Sequence, residues 1–130
     1  MIHRFDIRVY YEDTDLAGIV YYANYLRFIE RARSEMIREL GIDQAAMKRE
    51  LGLVFAVRRV EAEYLQPARY DDLIQVRTQP IKLTGARLVL DQTIWRADIE
   101  LFQAKITLAA LTETGTPARI PQALRSAMLD

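Results

Sequence analysis

Apolar side chains at Phe5, Ile7, Val9 and Tyr11 alternate with Asp6, Arg8 and Tyr10. A period of two puts one set on a single sheet face, so residues 5–11 are predicted to form a strand with that face buried. Near Ala23 the period changes. Tyr22, Tyr25, Leu26, Ile29, Met36, Ile37 and Leu40 recur at helical spacing, with Arg27, Glu30, Arg31, Arg33, Glu35 and Arg38 largely between them. This predicts a helix over 25–40, capped by Asn24 and ended by Gly41 at C′. At 1.5 Å per residue it is about 24 Å long, enough to cross a small sheet. A shorter helix is predicted over 43–51, with Asp43 as cap and Gly52 as stop.

Beyond Gly52 the alternation returns, with Val60, Ala62 and Tyr64 opposite Arg59, Glu61 and Glu63 until Pro67. Asp71-Asp72 reads as a turn, Ile74, Val76 and Thr78 as a third strand, and Thr84-Gly85 as another turn. A fourth strand over 86–96 carries Leu88, Leu90 and Ile94 on one side and Val89, Thr93 and Trp95 on the other. A fifth over 99–111 carries Phe102, Ala104, Ile106 and Leu108. Gly115, Pro117 and Pro121 make the tail irregular up to a short helix at 122–128. One long helix with about five strands implies an α+β fold, an antiparallel sheet curved around that helix. The second sheet face keeps Trp95 and similar groups, so a homo-oligomer, dimer or tetramer, is expected.

The 130 residues suit one domain spanning 1–130. Eighteen basic residues balance eighteen acidic ones, which removes the electrostatic reason to propose nucleic acid or an anionic membrane as partner. The absence of Cys excludes a disulfide framework, a thiol nucleophile and thiolate metal sites. His3 is the only histidine; it is expected before the first strand and at the surface, so neither a Ser-His-Asp triad nor a two-His metal site within one chain is predicted. No metal and no cofactor are expected. No apolar run approaches the roughly 18 residues of a membrane helix, and the start has no apolar core after its charges. A soluble, cytoplasmic protein without an integral membrane segment is the expectation.

Candidate chemistry concentrates in the stretch from Tyr10 to Tyr25, which places Glu12, Asp13 and Asp15 between strand and helix. A carboxylate at such a junction can sit beside the unpaired N–H groups of a helix start, and a base beside backbone donors can carry out acyl transfer. The residues alone do not choose among the three acids, and an acid before a helix is ordinarily a cap or a loop-ordering group.

The run YYEDTDLAGIVYYANYLRFIERAR resembles the signature of the 4-hydroxybenzoyl-CoA thioesterase family, and most closely its branch of YbgC-type acyl-CoA thioesterases associated with the Tol-Pal envelope system. A softer likeness extends through Pro67-Ala68-Arg69-Tyr70-Asp71-Asp72 and the strand-rich second half. The resemblance implies the hotdog fold and hydrolysis of an acyl-CoA thioester. It implies Asp15 as catalytic carboxylate, nucleophile or general base, and the main-chain N–H of Tyr22 as the group polarising the carbonyl, with Gly18, Val20 and Tyr21 shaping the approach. Asp13 keeps the ordinary reading, ordering the loop or pairing with an Arg. Many members of the branch carry His in the second position of the Tyr21-Tyr22 pair, so a mechanism that needs imidazole there is disfavoured. Hotdog dehydratases use a histidine in or near the helix, and its lack favours hydrolysis. Coenzyme A phosphates call for basic groups: Lys82 and Arg87 flank the Thr84-Gly85 turn, and Arg58 and Arg59 are further candidates. Glu30 either lines the pocket, as the resemblance implies, or pairs at the surface with Arg27 or Arg33. The alternative function is a non-catalytic oligomeric module that binds acyl-CoA or an acyl carrier protein at the cell envelope.

Overall fold

Residues four and three apart along 25–37 share one helix face, and burying that face dictates the architecture. The computed structural model describes residues 1–128. In chain order these form β1 (His3–Arg8), a 3-10 turn (Tyr11–Asp13), α1 (Asn24–Glu39), α2 (Gln44–Leu51), β2 (Val54–Tyr64), β3 (Leu73–Leu83), β4 (Arg87–Arg96), β5 (Ile99–Leu111) and α3 (Gln122–Met128). The strands make one antiparallel sheet in the order β1-β3-β4-β5-β2. Tyr25, Phe28, Ile29, Ala32, Met36 and Ile37 of α1 lie buried with Ile74, Val76, Leu88, Leu90, Ile94, Phe102 and Ile106 of the sheet. Each large side chain so buried contributes roughly 1.5–3 kcal/mol, which outweighs the few tenths at stake in the helix propensity of any one residue. This is the hotdog arrangement, a five-stranded sheet wrapped around one long helix.

The helix differs in three places from the periodic reading. Arg33 is buried, 9% exposed, because it stands four residues after Ile29 and three before Met36 on the inward face. Its guanidinium donates to Gln92 Oε1 at 3.0 Å, while the Gln92 amide donates to the Ile29 carbonyl (3.0 Å) and to Thr78 Oγ1 (2.9 Å). Burial pulls the Arg33 pKa down, and nearby Glu30 acts in the opposite direction. Leu26 is exposed, and Phe28 takes the core position instead. Asn24 is the first helical residue rather than the cap, a place held by Ala23 without a side-chain bond. The other predicted boundaries hold: Asp43 caps α2 by accepting from Ala46 N at 3.1 Å, Gly52 ends it in the left-handed region, and Gly41 follows α1 at φ +88°.

The first strand is shorter than its alternation suggests. It ends at Arg8, opposite Leu73 where β3 begins, and after Val9 the chain turns into the 3-10 segment. Tyr11 is therefore 82% exposed and not part of the buried face. His3 opens β1 instead of preceding it, and its ring is largely buried, with Nε2 2.7 Å from Glu39 Oε2 at the end of α1. Only the tertiary fold brings that carboxylate over the first strand. On the outer face Trp95 donates to Thr93 Oγ1 at 2.9 Å, and the Arg77 guanidinium lies 4.4 Å from its ring centroid. That cation covers part of the aromatic surface that the sequence pattern left open.

Replacing Phe28 by Ala is expected to lower unfolding free energy by about 3–5 kcal/mol, read as a fall in the urea midpoint at constant slope. An unchanged midpoint would contradict the core position of this ring.

Candidate active site

The acidic stretch folds as a small hairpin leading into α1. Asp13 organises it: Oδ2 accepts from Tyr10 N at 2.8 Å, and the Asp13 carbonyl accepts from Tyr21 N at 2.9 Å and from Asn24 Nδ2 at 3.1 Å. Asp13 is buried and orders the loop; among the described residues it forms no ion pair with an Arg. Asn24 is thus diverted from capping because its amide ties the helix start to this acid. Thr14 pairs with Val20, and Asp15 N donates to the Ile19 carbonyl at 3.0 Å. The tip turns back at Gly18, whose φ of +78° is a conformation glycine adopts without a Cβ penalty. Ile19 and Val20 then bridge to Arg69 and Ala68, which fastens the hairpin to the segment after β2.

Asp15 is exposed at the base of the tip, and its Oδ1 accepts from Ala17 N at 2.9 Å. It lines a cavity of about 360 Å³ with Ile19, Val20, Tyr21, Tyr22, Tyr25, Tyr64, Leu65, Gln66 and Pro67. The wall is aromatic. Tyr25 stacks on Phe102 (5.2 Å, 14°) and meets Tyr64 edge-on (5.2 Å, 84°), while Tyr22 meets Tyr64 edge-on at 6.4 Å. The Tyr25 hydroxyl accepts from Ala68 N at 2.9 Å, and burial pushes that phenol above its ordinary pKa. Among the described residues, the main-chain N–H groups of Tyr22 and Ala23, which lead into α1, donate no hydrogen bond. One concavity therefore joins a carboxylate to Tyr22, whose free N–H leads into α1, an arrangement able to hold a polarised carbonyl beside a base or nucleophile.

Of the residues singled out from the sequence, the structure brings Asp15, Val20, Tyr21 and Tyr22 together around the cavity, with Gly18 shaping the tip above them. Glu30 lies elsewhere. It accepts from Ser34 Oγ at 3.1 Å and borders a separate depression with Arg33, Phe55 and Val57, while Arg27 turns to Asn24 Oδ1 at 3.3 Å. Arg58 occupies the register shift of β2 between Val57 and Arg59. Lys82 and Arg87 lie at the β3–β4 hairpin, the far end of β3 from Leu73, which pairs with Arg8 just before the carboxylate loop. None of the three reaches the cavity of its own protomer. Tyr25, Tyr64 and the segment from Leu65 to Pro67 were not foreseen as site residues, because their place there depends on the end of β2 passing over the helix start. The one local signal was Pro67 ending the strand.

A hotdog domain with a carboxylate hairpin at the opening of its long helix is the class these features define. A family model described as the thioesterase superfamily matches residues 17–103. The chain is 39% identical over 107 residues to the acyl-CoA thioesterase YbgC of Haemophilus influenzae, covering 82% of this chain and 79% of that one. It is 43% identical over 97 residues to the acyl-CoA thioester hydrolase YbgC of Escherichia coli O6:H1, covering 75% and 72%. Among solved structures, a probable thioesterase from Bartonella henselae superposes with a TM-score of 0.90 at 38% identity, over 93% of this chain and all of that one. The chain belongs to the thioesterase superfamily.

Asp13→Ala removes the acceptor of the Tyr10 N–H in a buried setting and is expected to cost about 1–3 kcal/mol of stability, with faster amide exchange confined to residues 10–24. Native exchange rates there would contradict the ordering role.

Proposed function

We propose that the chain hydrolyses an acyl-CoA thioester to free acid and coenzyme A. The observation that carries this reading is Asp15 sharing one cavity with Tyr22, whose N–H is free at the opening of α1. The named activity of the Haemophilus and Escherichia relatives supports it. The thioester carbonyl lies with its oxygen toward the Tyr22 N–H and its carbon toward Asp15. Charge developing on that oxygen is stabilised by the backbone donor, a contribution of about 2.7–4 kcal/mol for one such group. Asp15 then acts by one of two routes. As nucleophile it forms a mixed anhydride with release of the CoA thiolate, and water cleaves the anhydride; as general base it takes a proton from the water that attacks the carbonyl.

The active form in this reading is a homo-oligomer, a dimer or a tetramer of dimers. β2 is an eleven-residue edge strand whose Val57, Val60 and Tyr64 are exposed, a surface suited to a second copy. In this reading a second protomer brings Arg58, Lys82 or Arg87 to the coenzyme A phosphates, since none of the three lines the cavity of its own protomer. No helix among the described residues is long and apolar enough to cross a membrane. A cytoplasmic location, an acyl carrier protein as alternative acyl donor and an association with the Tol-Pal system belong to the same proposal and rest on the resemblance to the YbgC branch. Nothing in the site favours the non-catalytic module.

A free-thiol assay across acyl-CoAs of varied chain length is expected to show turnover, and Asp15→Asn to abolish it with the thermal midpoint retained; full activity in Asp15→Asn would remove the mechanism. Rapid-quench mass analysis of the intact enzyme during a single turnover separates the routes, because only the anhydride route adds the mass of the acyl group to Asp15. Light scattering at micromolar concentration is expected to give a multiple of the chain mass, and a monomer would contradict the shared site.

A further inference from the structure

We infer that Tyr64 is a positioning residue of the proposed active site: its hydroxyl, reaching from the end of β2, holds the Tyr22 main chain in place at the cavity wall. The inference rests on the thioesterase reading above and adds to it a residue that does not itself meet the substrate carbonyl.

The Tyr64 hydroxyl donates to the Tyr22 carbonyl at 2.9 Å, across 42 positions of the chain. That carbonyl has no ordinary partner. It precedes the Ala23 cap and so lies outside the bonding of α1, whose Leu26 N donates to the Ala23 carbonyl at 3.2 Å. The carbonyl just outside the helix is therefore satisfied by a strand far away in sequence. The preceding peptide is held by different means: Asn24 N donates to the Tyr21 carbonyl at 2.8 Å, and Tyr21 N donates to the Asp13 carbonyl at 2.9 Å. The Tyr22 N–H thus lies between two anchored peptide planes, one anchored by the acidic hairpin and one by Tyr64. The Tyr22 N–H belongs to the Tyr21–Tyr22 peptide, so the bond on the Tyr22 carbonyl restrains it through the shared Tyr22 Cα, by fixing the next peptide plane.

The packing around Tyr64 suits this task. Its ring meets Tyr25 edge-on at 5.2 Å and Phe102 at 5.1 Å, and both of those are buried in the core, so the phenol is oriented by packed core side chains. Burial, with Tyr25 and Tyr22 close by, raises its pKa above the ordinary phenol value, so it remains a protonated donor through neutral pH. A phenylalanine would keep these aromatic contacts and lose only the bond to Tyr22. Because an oxyanion donor acts on the transition state and not on ground-state binding, loosening it lowers kcat and leaves KM nearly unchanged.

The test is steady-state kinetics of Tyr64→Phe with the acyl-CoA turned over fastest by the native enzyme, beside Asp15→Asn and with thermal unfolding of each. The expected result is a fall in kcat of roughly tenfold with KM changed less than about twofold and the thermal midpoint retained. A native kcat, or an effect confined to KM, overturns the inference. A second variant carries the test if Tyr64→Phe unfolds: a fluorinated tyrosine introduced at residue 64 keeps the ring and ionises at lower pH. Its kcat should then decline at lower pH than in the native enzyme as the donor is lost, and an alkaline limb that does not move overturns the inference. Full turnover by Asp15→Asn would sink the thioesterase mechanism itself, whatever Tyr64 does, so the two failures are distinguishable.

Discussion

Burial of one face of α1 against the sheet is the interaction on which the other features depend. Phe28, Ile29, Met36 and Ile37 are fully or almost fully enclosed, and their partners come from β3, β4 and β5 together. The helix cannot slide or rotate without exposing several of them at once, and interiors packed at crystal density do not deform continuously. The opening of the helix is thereby fixed relative to the ends of the strands. A site built there inherits the rigidity of the core, as a cluster of groups on a free loop would not.

Two aspartates one residue apart acquire opposite roles within this frame. Asp13 faces inward, is almost wholly buried and commits its groups to Tyr10, Tyr21 and Asn24. Asp15 begins the outward hairpin, with one oxygen held by the turn at Ala17, and faces the aromatic cavity. The first maintains the shape of the loop, and that shape presents the second. Aromatic side chains complete the arrangement from the opposite wall: Tyr25 fastens the helix to Ala68, and Tyr64 fastens the end of β2 to Tyr22. Backbone groups at the helix start are thus braced by both the hairpin and the sheet.

The sheet also limits what one protomer can do alone. Its strands are long enough to carry Lys82 and Arg87 to the far end from Asp15, and Arg58 sits at a register shift on the exposed edge strand. In the proposed oligomer, an interface that apposes opposite ends of two sheets brings these basic groups toward the partner's Asp15.

Much of this was legible in the amino-acid sequence because period and turn chemistry are local. The alternation in 74–78, 86–96 and 99–111, the helix-breaking glycines at 41 and 52, and the Asp43 cap each act over a few residues, and each appears where the pattern put it. The carboxylate hairpin was visible as a motif for the same reason. What depended on distant partners was not legible: the inward turn of Arg33 toward Gln92, the burial of His3 under Glu39, the release of Asn24 from capping, and the passage of Tyr64 over the helix start. Local sequence determines which backbone conformations and faces a segment prefers. Which buried polar groups find partners, and which side chains enclose the cavity, were decided only when the strand order brought residues dozens of positions apart into contact, since desolvation and hydrogen bonding respond to neighbours in space.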